Sequence, residues 1–126
     1  ILDVNEDFDE LLKDLLLSYK SNTINVITRN ISKVDWQKVS SEKKTTIYRV
    51  LQELMTNMKK HSKASLVVLT FNQSNKLIIN YSDNGIGSEI KKHNGLQNAE
   101  NRIQSINGTI TFESQITNGF KVKITI

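Results

Sequence analysis

A two-layer α+β sandwich, with a mixed sheet of about five strands covered by three helices, is the fold this sequence predicts. Three observations carry it. The 126 residues suffice for one domain with a real core and are too few for two. Helical and strand-like segments follow one another in the order α-β-α-β-β-loop-α-β-β. That order mixes helices with adjacent hairpins and lacks strict βαβ alternation, which favours one helical layer on one sheet over a doubly wound fold.

The first helix is "DFDELLKDLLLSYKS", where Phe8, Leu11, Leu12, Leu15, Leu16 and Tyr19 recur at helical spacing and acids gather near the start. "INVITRNI" alternates Ile24, Val26 and Thr28 with polar neighbours and reads as a strand. "SKVDWQKVSS" reads as a polar connector that ends in Ser40 or Ser41 as the N-cap of the second helix. That helix runs from about Glu42 to His61, with Ile47, Val50, Leu51, Leu54 and Met58 on one stripe. "ASLVVLTF", "KLIINYS", "GTITFESQ" and "FKVKITI" are strands, rich in β-branched and aromatic residues. "NQSN" joins the first two as a hairpin-sized loop. "NGLQNAENRIQSIN" is a third helix carrying Leu96, Ala99, Ile103 and Ile106, closed by Gly108.

Composition narrows the function. Hydrophobic residues make up 37% of the chain and charged residues 24%, the balance of a soluble globular protein. No apolar run approaches the roughly 20 residues that span a bilayer. No secretory signal is visible, and a start at Ile1 points to a domain cut from something longer. Cysteine is absent, which excludes disulfides and thiolate metal sites. A net charge of +4 and a pI near 9.3 favour anionic partners, with Lys43-Lys44, Lys59-Lys60 and Lys91-Lys92 the closest clusters. No aromatic is interleaved with those lysines, so no nucleic-acid partner is expected. The sequons at Asn30, Asn72, Asn80 and Asn107 are chance products of an asparagine-rich chain.

Three short segments can carry chemistry. In "ELMTNMKKHSKAS", at about 100° per residue, Glu53, Asn57 and His61 form a ridge beside the apolar stripe, with Lys60 on its far side. A carboxylate and an amide one turn apart can hold a hydrated Mg²⁺, and Lys60 can meet phosphate charge. A solvated helix edge is the ordinary alternative. In "SDNGIGS", Asp83 ends a strand and can accept a hydrogen bond from an exocyclic amine. Gly85 and Gly87 would let the backbone approach a flat ring, although on its own the segment reads first as a plain turn. In "HNGLQNAENR", Gly95 stands at a helix start, where unpaired N–H groups favour phosphate. There is no GxxxxGK[ST], GxGxxG or HExxH motif, nor a metal-spaced histidine cluster.

Together and in this order, the three segments resemble the N box and the two glycine boxes of the GHKL nucleotide-binding superfamily. They look most like those of the catalytic ATP-binding domain of bacterial sensor histidine kinases, a Bergerat-type fold. The likeness runs from about Asp7 to Ile126, and only seven residues separate Gly87 from Gly95, as in the short-lid subclass. The resemblance implies ATP and Mg²⁺ as cofactors and phosphoryl transfer to a histidine. It implies that Asn57 is the metal ligand, that the catalytic pair is Glu53, beside Asn57 and orienting groups near Mg²⁺, and Lys60, which spreads the charge of the transferred phosphoryl. His61, Gly95 and Leu96 would sit near the phosphate chain. Asp83, Gly85 and Gly87 would form the adenine pocket. Arg102 matches a family arginine that serves as an ion-pair partner or a ligand contact. The family often has Gly-Thr entering the last strand, where this chain has Gly119-Phe120.

The only histidines, His61 and His93, lie inside the nucleotide boxes, so the phosphoacceptor is expected on a separate dimerisation domain of the same protein. The domain, residues 1–126, is then a fragment of a cytoplasmic kinase whose parent is free to be anchored in the inner membrane. It would make no direct membrane contact itself, and a response regulator would be the downstream partner. The alternatives are a GHKL anti-sigma-factor serine kinase, an ATPase module, or a non-enzymatic module that binds an acidic partner through its lysines.

Overall fold

The computed structural model describes residues 7–85, 94–115 and 119–126. Gly87, His93, the Lys91-Lys92 pair and nearly all of the 88–94 lid lie outside the described residues, as does the side chain of His61.

Helix α1 (Phe8–Leu17) buries Phe8, Leu12, Leu15 and Leu16, the stripe its spacing predicts. It stops at Ser18, whose hydroxyl turns back to donate to the Leu15 carbonyl at 2.6 Å. The chain then enters strand β1 (Asn25–Arg29), which pairs in parallel with β2 (Leu66–Gln73). Helix α2 (Ser41–Asn57) makes the crossover between them, so these elements form the sole βαβ unit among the described residues. Strands β3 (Leu77–Asp83), β4 (Thr109–Gln115) and β5 (Gly119–Thr125) complete a sheet of order β1-β2-β3-β5-β4, antiparallel except at its first pair. Helix α3 (Asn94–Ser105) lies between β3 and β4 in sequence and packs on α2. The predicted order and the mixed five-stranded sheet are both found.

The strand period of two explains why one face is covered and the other open. Val67, Leu69 and Phe71 of β2, Leu77, Ile79 and Tyr81 of β3, and Phe120, Val122 and Ile124 of β5 are buried under the helices. Their alternates Asn72, Asn80, Lys121 and Lys123 are exposed. Among the described residues no helix is long and apolar enough to cross a membrane.

Four sequence expectations need correction. The "polar connector" contains two 3-10 turns, Ile31–Lys33 and Trp36–Lys38, and plugs the core with Ile31, Val34 and Trp36. Trp36 meets the Phe8 ring edge-on at 4.9 Å, and its indole N–H donates to the Ile31 carbonyl at 2.9 Å. The second helix begins with Ser40 as N-cap, its Oγ accepting from the Lys43 N–H, but is α-helical only to Asn57. Met58–Ser62 widen into a π turn that Lys63 ends in the left-handed conformation. Lys44 is buried, its ammonium 5.9 Å from the Phe8 ring centroid, so Lys43-Lys44 is not an exposed cationic pair. At the end of α3 it is Asn107, at φ 62°, that takes the left-handed position, not Gly108. Gly108 is small for another reason: a Cβ there would lie 2.9 Å from both Ile103 Cγ2 and the Thr125 carbonyl oxygen.

Gly119 opens β5 at φ +87°, and a Cβ on it would stand 2.0 Å from the Asp83 carbonyl oxygen. Neither the conformation nor the space admits a side chain. Gly119→Ala is expected to destabilise the domain by roughly 2–4 kcal/mol, read as a lower urea midpoint with an unchanged slope.

Candidate functional site

The buried stripe of α2 is Ile47, Val50, Leu51, Leu54 and Met55, continued by Met58 in the π turn. With that stripe on the sheet, Glu53 and Asn57 fall one turn apart on the half-covered edge that borders α3. Glu53 Oε1 accepts from Arg102 Nε at 2.8 Å, which makes the matching arginine an ion-pair partner of the acid. Glu53 is 20% exposed and Arg102 47%, so solvent screens the pair and it adds at most about 1 kcal/mol. Glu53 Oε2 is different. It is buried and has no hydrogen-bond partner among the described residues, which leaves an acceptor able to meet a donor or a cation. Lys60 is exposed on the π turn. The ridge extrapolated at 100° per residue holds as far as Asn57; beyond it the π turn changes the angular step.

Asp83, the last residue of β3, points to the covered face and is only 5% exposed. Its Oδ2 accepts from the Tyr81 hydroxyl at 2.6 Å and its Oδ1 from the Gly85 N–H at 2.9 Å. Burial pushes the Tyr81 phenol well above its usual range, and the charge of Asp83 and its hydrogen bond push it further. Tyr81 therefore stays protonated and donating at any physiological pH. Asn84 does structural work at the same corner. Its Oδ1 accepts from the Ser65 and Leu66 N–H groups at 2.9 and 3.0 Å, and its Nδ2 donates to Ser65 Oγ at 2.9 Å.

The topology brings these pieces to one end of the sheet. The end of α2 leads through Lys63–Ser65 into the start of β2, and β2 begins beside the end of β3, with Val67 opposite Asp83. Helix α3 starts at Asn94, so Gly95 lies inside its first turn, and Leu96 is buried there. By topology the elements that carry Asn57, Asp83, Gly85 and Leu96 meet toward this end of the sheet, with Glu53 one turn before Asn57; Gly87 falls outside the described residues. No group of three or more His, Cys, Asp or Glu able to hold a metal occurs among the described residues. A cation here would draw on few protein ligands, the habit of Mg²⁺, and the unpartnered Glu53 oxygen one turn from Asn57 fits that donor set. A cleft of about 430 Å³ at the opposite end of the sheet is rimmed by the exposed Lys38, Lys43 and Lys76. It shares no residue with the site.

Sequence reasoning did not find Tyr81 or the strand clamp of Asn84. The first had a legible signal, because residues two apart on a strand share a face. The second had none, since its partners are nearly twenty positions away.

Residues 42–126 match the family described as histidine kinase-, DNA gyrase B-, and HSP90-like ATPase, and the chain belongs to that family. It is 30% identical over 87 residues to the sensor histidine kinase ComP of Bacillus subtilis (strain 168), which covers 64% of this chain and 11% of that protein. It is 26% identical over 121 residues to the signal transduction histidine-protein kinase/phosphatase UhpB of Salmonella typhimurium, covering 93% of this chain and 24% of the relative. The oxygen sensor histidine kinase NreB of Staphylococcus carnosus is 30% identical over 96 residues, 71% of this chain and 28% of its own length. The chain spans a small part of these curated relatives. Among solved structures, the histidine kinase domain of the Erythrobacter litoralis blue-light activated histidine kinase superposes with a TM-score of 0.74. The match covers 93% of this chain and 61% of that one at 19% identity, a likeness of fold.

The unpartnered oxygen makes a prediction about the ligand-free protein. Glu53→Met removes a buried oxygen that no described residue satisfies, and the half-exposed Arg102 can return to water. Its stability by thermal unfolding is expected to stay within about 1 kcal/mol of wild type. A larger loss would make Glu53 a structural residue.

Proposed function

We propose that this chain is the ATP·Mg²⁺-binding catalytic domain of a sensor histidine kinase, one part of a longer cytoplasmic or membrane-anchored protein. Its reaction is transfer of the γ-phosphoryl group of ATP to a histidine imidazole on a separate dimerisation domain, from which a response regulator would receive it. The observation that best supports this reading is the pairing, at one end of the sheet, of a buried carboxylate with the polar edge of α2. Asp83 lies at the end of β3, and Glu53 and Asn57 lie on the helix whose exit adjoins it.

In this reading Asp83 accepts a hydrogen bond from the exocyclic amine of adenine, with Gly85 and Gly87 shaping the wall beside the ring. Asn57 offers its amide oxygen as a metal ligand, and Glu53 orients groups next to it through its free oxygen. Mg²⁺, when bound, supplies charge neutralisation across the phosphates. Lys60 adds a cation on the exposed side, His61 lies close to the phosphate chain, and the first turn of α3 at Gly95 and Leu96 faces the same anion. The domain's contribution is then positional and electrostatic: it holds the phosphoryl group in line with an imidazole brought by another domain.

Two substitutions test the assignment by titration calorimetry. Asn57→Ala is expected to abolish most of the Mg²⁺-dependent gain in ATP affinity while leaving thermal stability nearly unchanged, because the residue lies on a half-exposed edge. Metal dependence equal to wild type would remove Asn57 as the ligand. For Asp83, guanine places a carbonyl where adenine has its amine, so two acceptors face each other, a mismatch of about 1–3 kcal/mol. Wild type should prefer ATP to GTP by at least about tenfold, and Asp83→Ala should lose most of that preference. Equal binding of both nucleotides by wild type would displace the pocket from Asp83.

A further inference from the structure

One group in contact with Asp83 has no part in the reading above. Tyr81 is 2% exposed and lies on the same covered face of β3, two residues before Asp83. Its ring meets that of Phe120 edge-on, with centroids 6.2 Å apart, and Phe120 in turn stacks on Phe112 at 6.1 Å and 13°. Phe120 stands directly across from Asp83 in the β3–β5 register. The phenol is therefore locked in place, and its hydroxyl donates to Asp83 Oδ2 at 2.6 Å.

The setting argues that the hydroxyl serves the carboxylate. The other covered positions of β3, Leu77 and Ile79, are purely apolar, and so is Phe120 opposite Asp83. A core that needed only volume at position 81 would be served by phenylalanine without a polar group to satisfy. A carboxyl group with one anchored oxygen still rotates in a broad, roughly two-fold well. With two donors, one on each oxygen and arriving from a side chain and a backbone amide, it does not. Each oxygen keeps acceptor capacity beyond the bond it already makes.

We propose that Tyr81 is a positioning residue for base recognition: its hydroxyl fixes the plane of the Asp83 carboxylate, so that the acceptor offered to a ligand has one direction. The ligand class so selected is a purine whose exocyclic group is an amine. The inference rests on Asp83 being the base-recognition residue, and it adds that Asp83 discriminates well only while Tyr81 holds it.

A double-mutant cycle separates the two ideas. ATP and GTP dissociation constants are measured in Mg²⁺ for wild type, Tyr81→Phe, Asp83→Ala and the double variant. Tyr81→Phe keeps the ring and its packing and removes one hydrogen bond to a charged group. ATP affinity should fall about tenfold, and the ATP:GTP ratio should contract toward that of Asp83→Ala. In the Asp83→Ala background the same change should alter neither nucleotide. If Tyr81→Phe retains wild-type affinity and ratio while Asp83→Ala is impaired, the positioning role is lost and the nucleotide site stands. If Asp83→Ala itself binds like wild type, both fall. Should Tyr81→Phe fail to fold, wild-type protein carrying ¹³Cζ-tyrosine gives the second measurement. The Tyr81 resonance should shift as ATP saturates the site, and a resonance that stays fixed through saturation overturns the proposal.

Discussion

The azimuth of α2 is the constraint on which the rest of this molecule depends. Six buried side chains, Ile47, Val50, Leu51, Leu54, Met55 and Met58, fix which way the helix faces the sheet. Each gains about 1.5–3 kcal/mol by leaving water. Against that sum, the penalty of about 1–3 kcal/mol for one unsatisfied acceptor is small. Packing wins, and the helix has no freedom to roll until Glu53 Oε2 finds a donor. Hydrophobic burial thereby holds a polar group in a position that the isolated domain would not choose. The surplus stability of the core makes such a site possible, and the site in turn has a reason to bind something.

Which features were legible in the sequence follows from how local their causes are. The stripes of α1 and α2 and the alternation of β2, β3 and β5 arise from burial on a regular lattice, so periodicity reveals them. The 31–38 segment obeys no single period: Ile31, Val34 and Trp36 enter the core from two short turns, among polar residues that outnumber them. The π turn after Asn57 is a shift in hydrogen-bond partners that leaves no mark on composition. Gly108 is the closing residue the sequence suggests, because glycine is the usual left-handed residue, yet Asn107 takes that role and Gly108 admits a close neighbour. At the candidate site, Glu53, Asn57 and Asp83 stand out in the sequence as residue types, and the structure locates the first two on the edge of α2 and the third at the end of β3. Arg102 reads in the sequence as either an ion-pair partner or a ligand contact, and its partner Glu53 is not legible, because 49 positions separate the two and only the packing of α3 on α2 joins them.

The corner around Asp83 is reinforced from several sides. Asn84 ties the end of β3 to the start of β2, and the Ser65 carbonyl accepts from the Asn25 N–H at 2.8 Å, which adds β1. Three strands are therefore pinned at the end of the sheet where Asp83 sits. The carboxylate stands on a fixed platform, and its direction is set by Tyr81 and Gly85 without help from any bound molecule. Preorganisation of this kind lowers the entropy a ligand must give up.

The sheet order has a consequence for how the protein is made. Strand β5 follows β4 in the chain, yet it is inserted between β3 and β4, and it supplies Gly119 and Phe120 against Asp83 together with the core residues Val122 and Ile124. A nascent chain that has emerged as far as β4 has every loop and helix of the site but a gap in the middle of its sheet, with the flank of β3 unpaired. The platform is complete only once β5 has emerged. Chains cut short before β5 would leave the facing edges of β3 and β4 unpaired, and such edges seed aggregation.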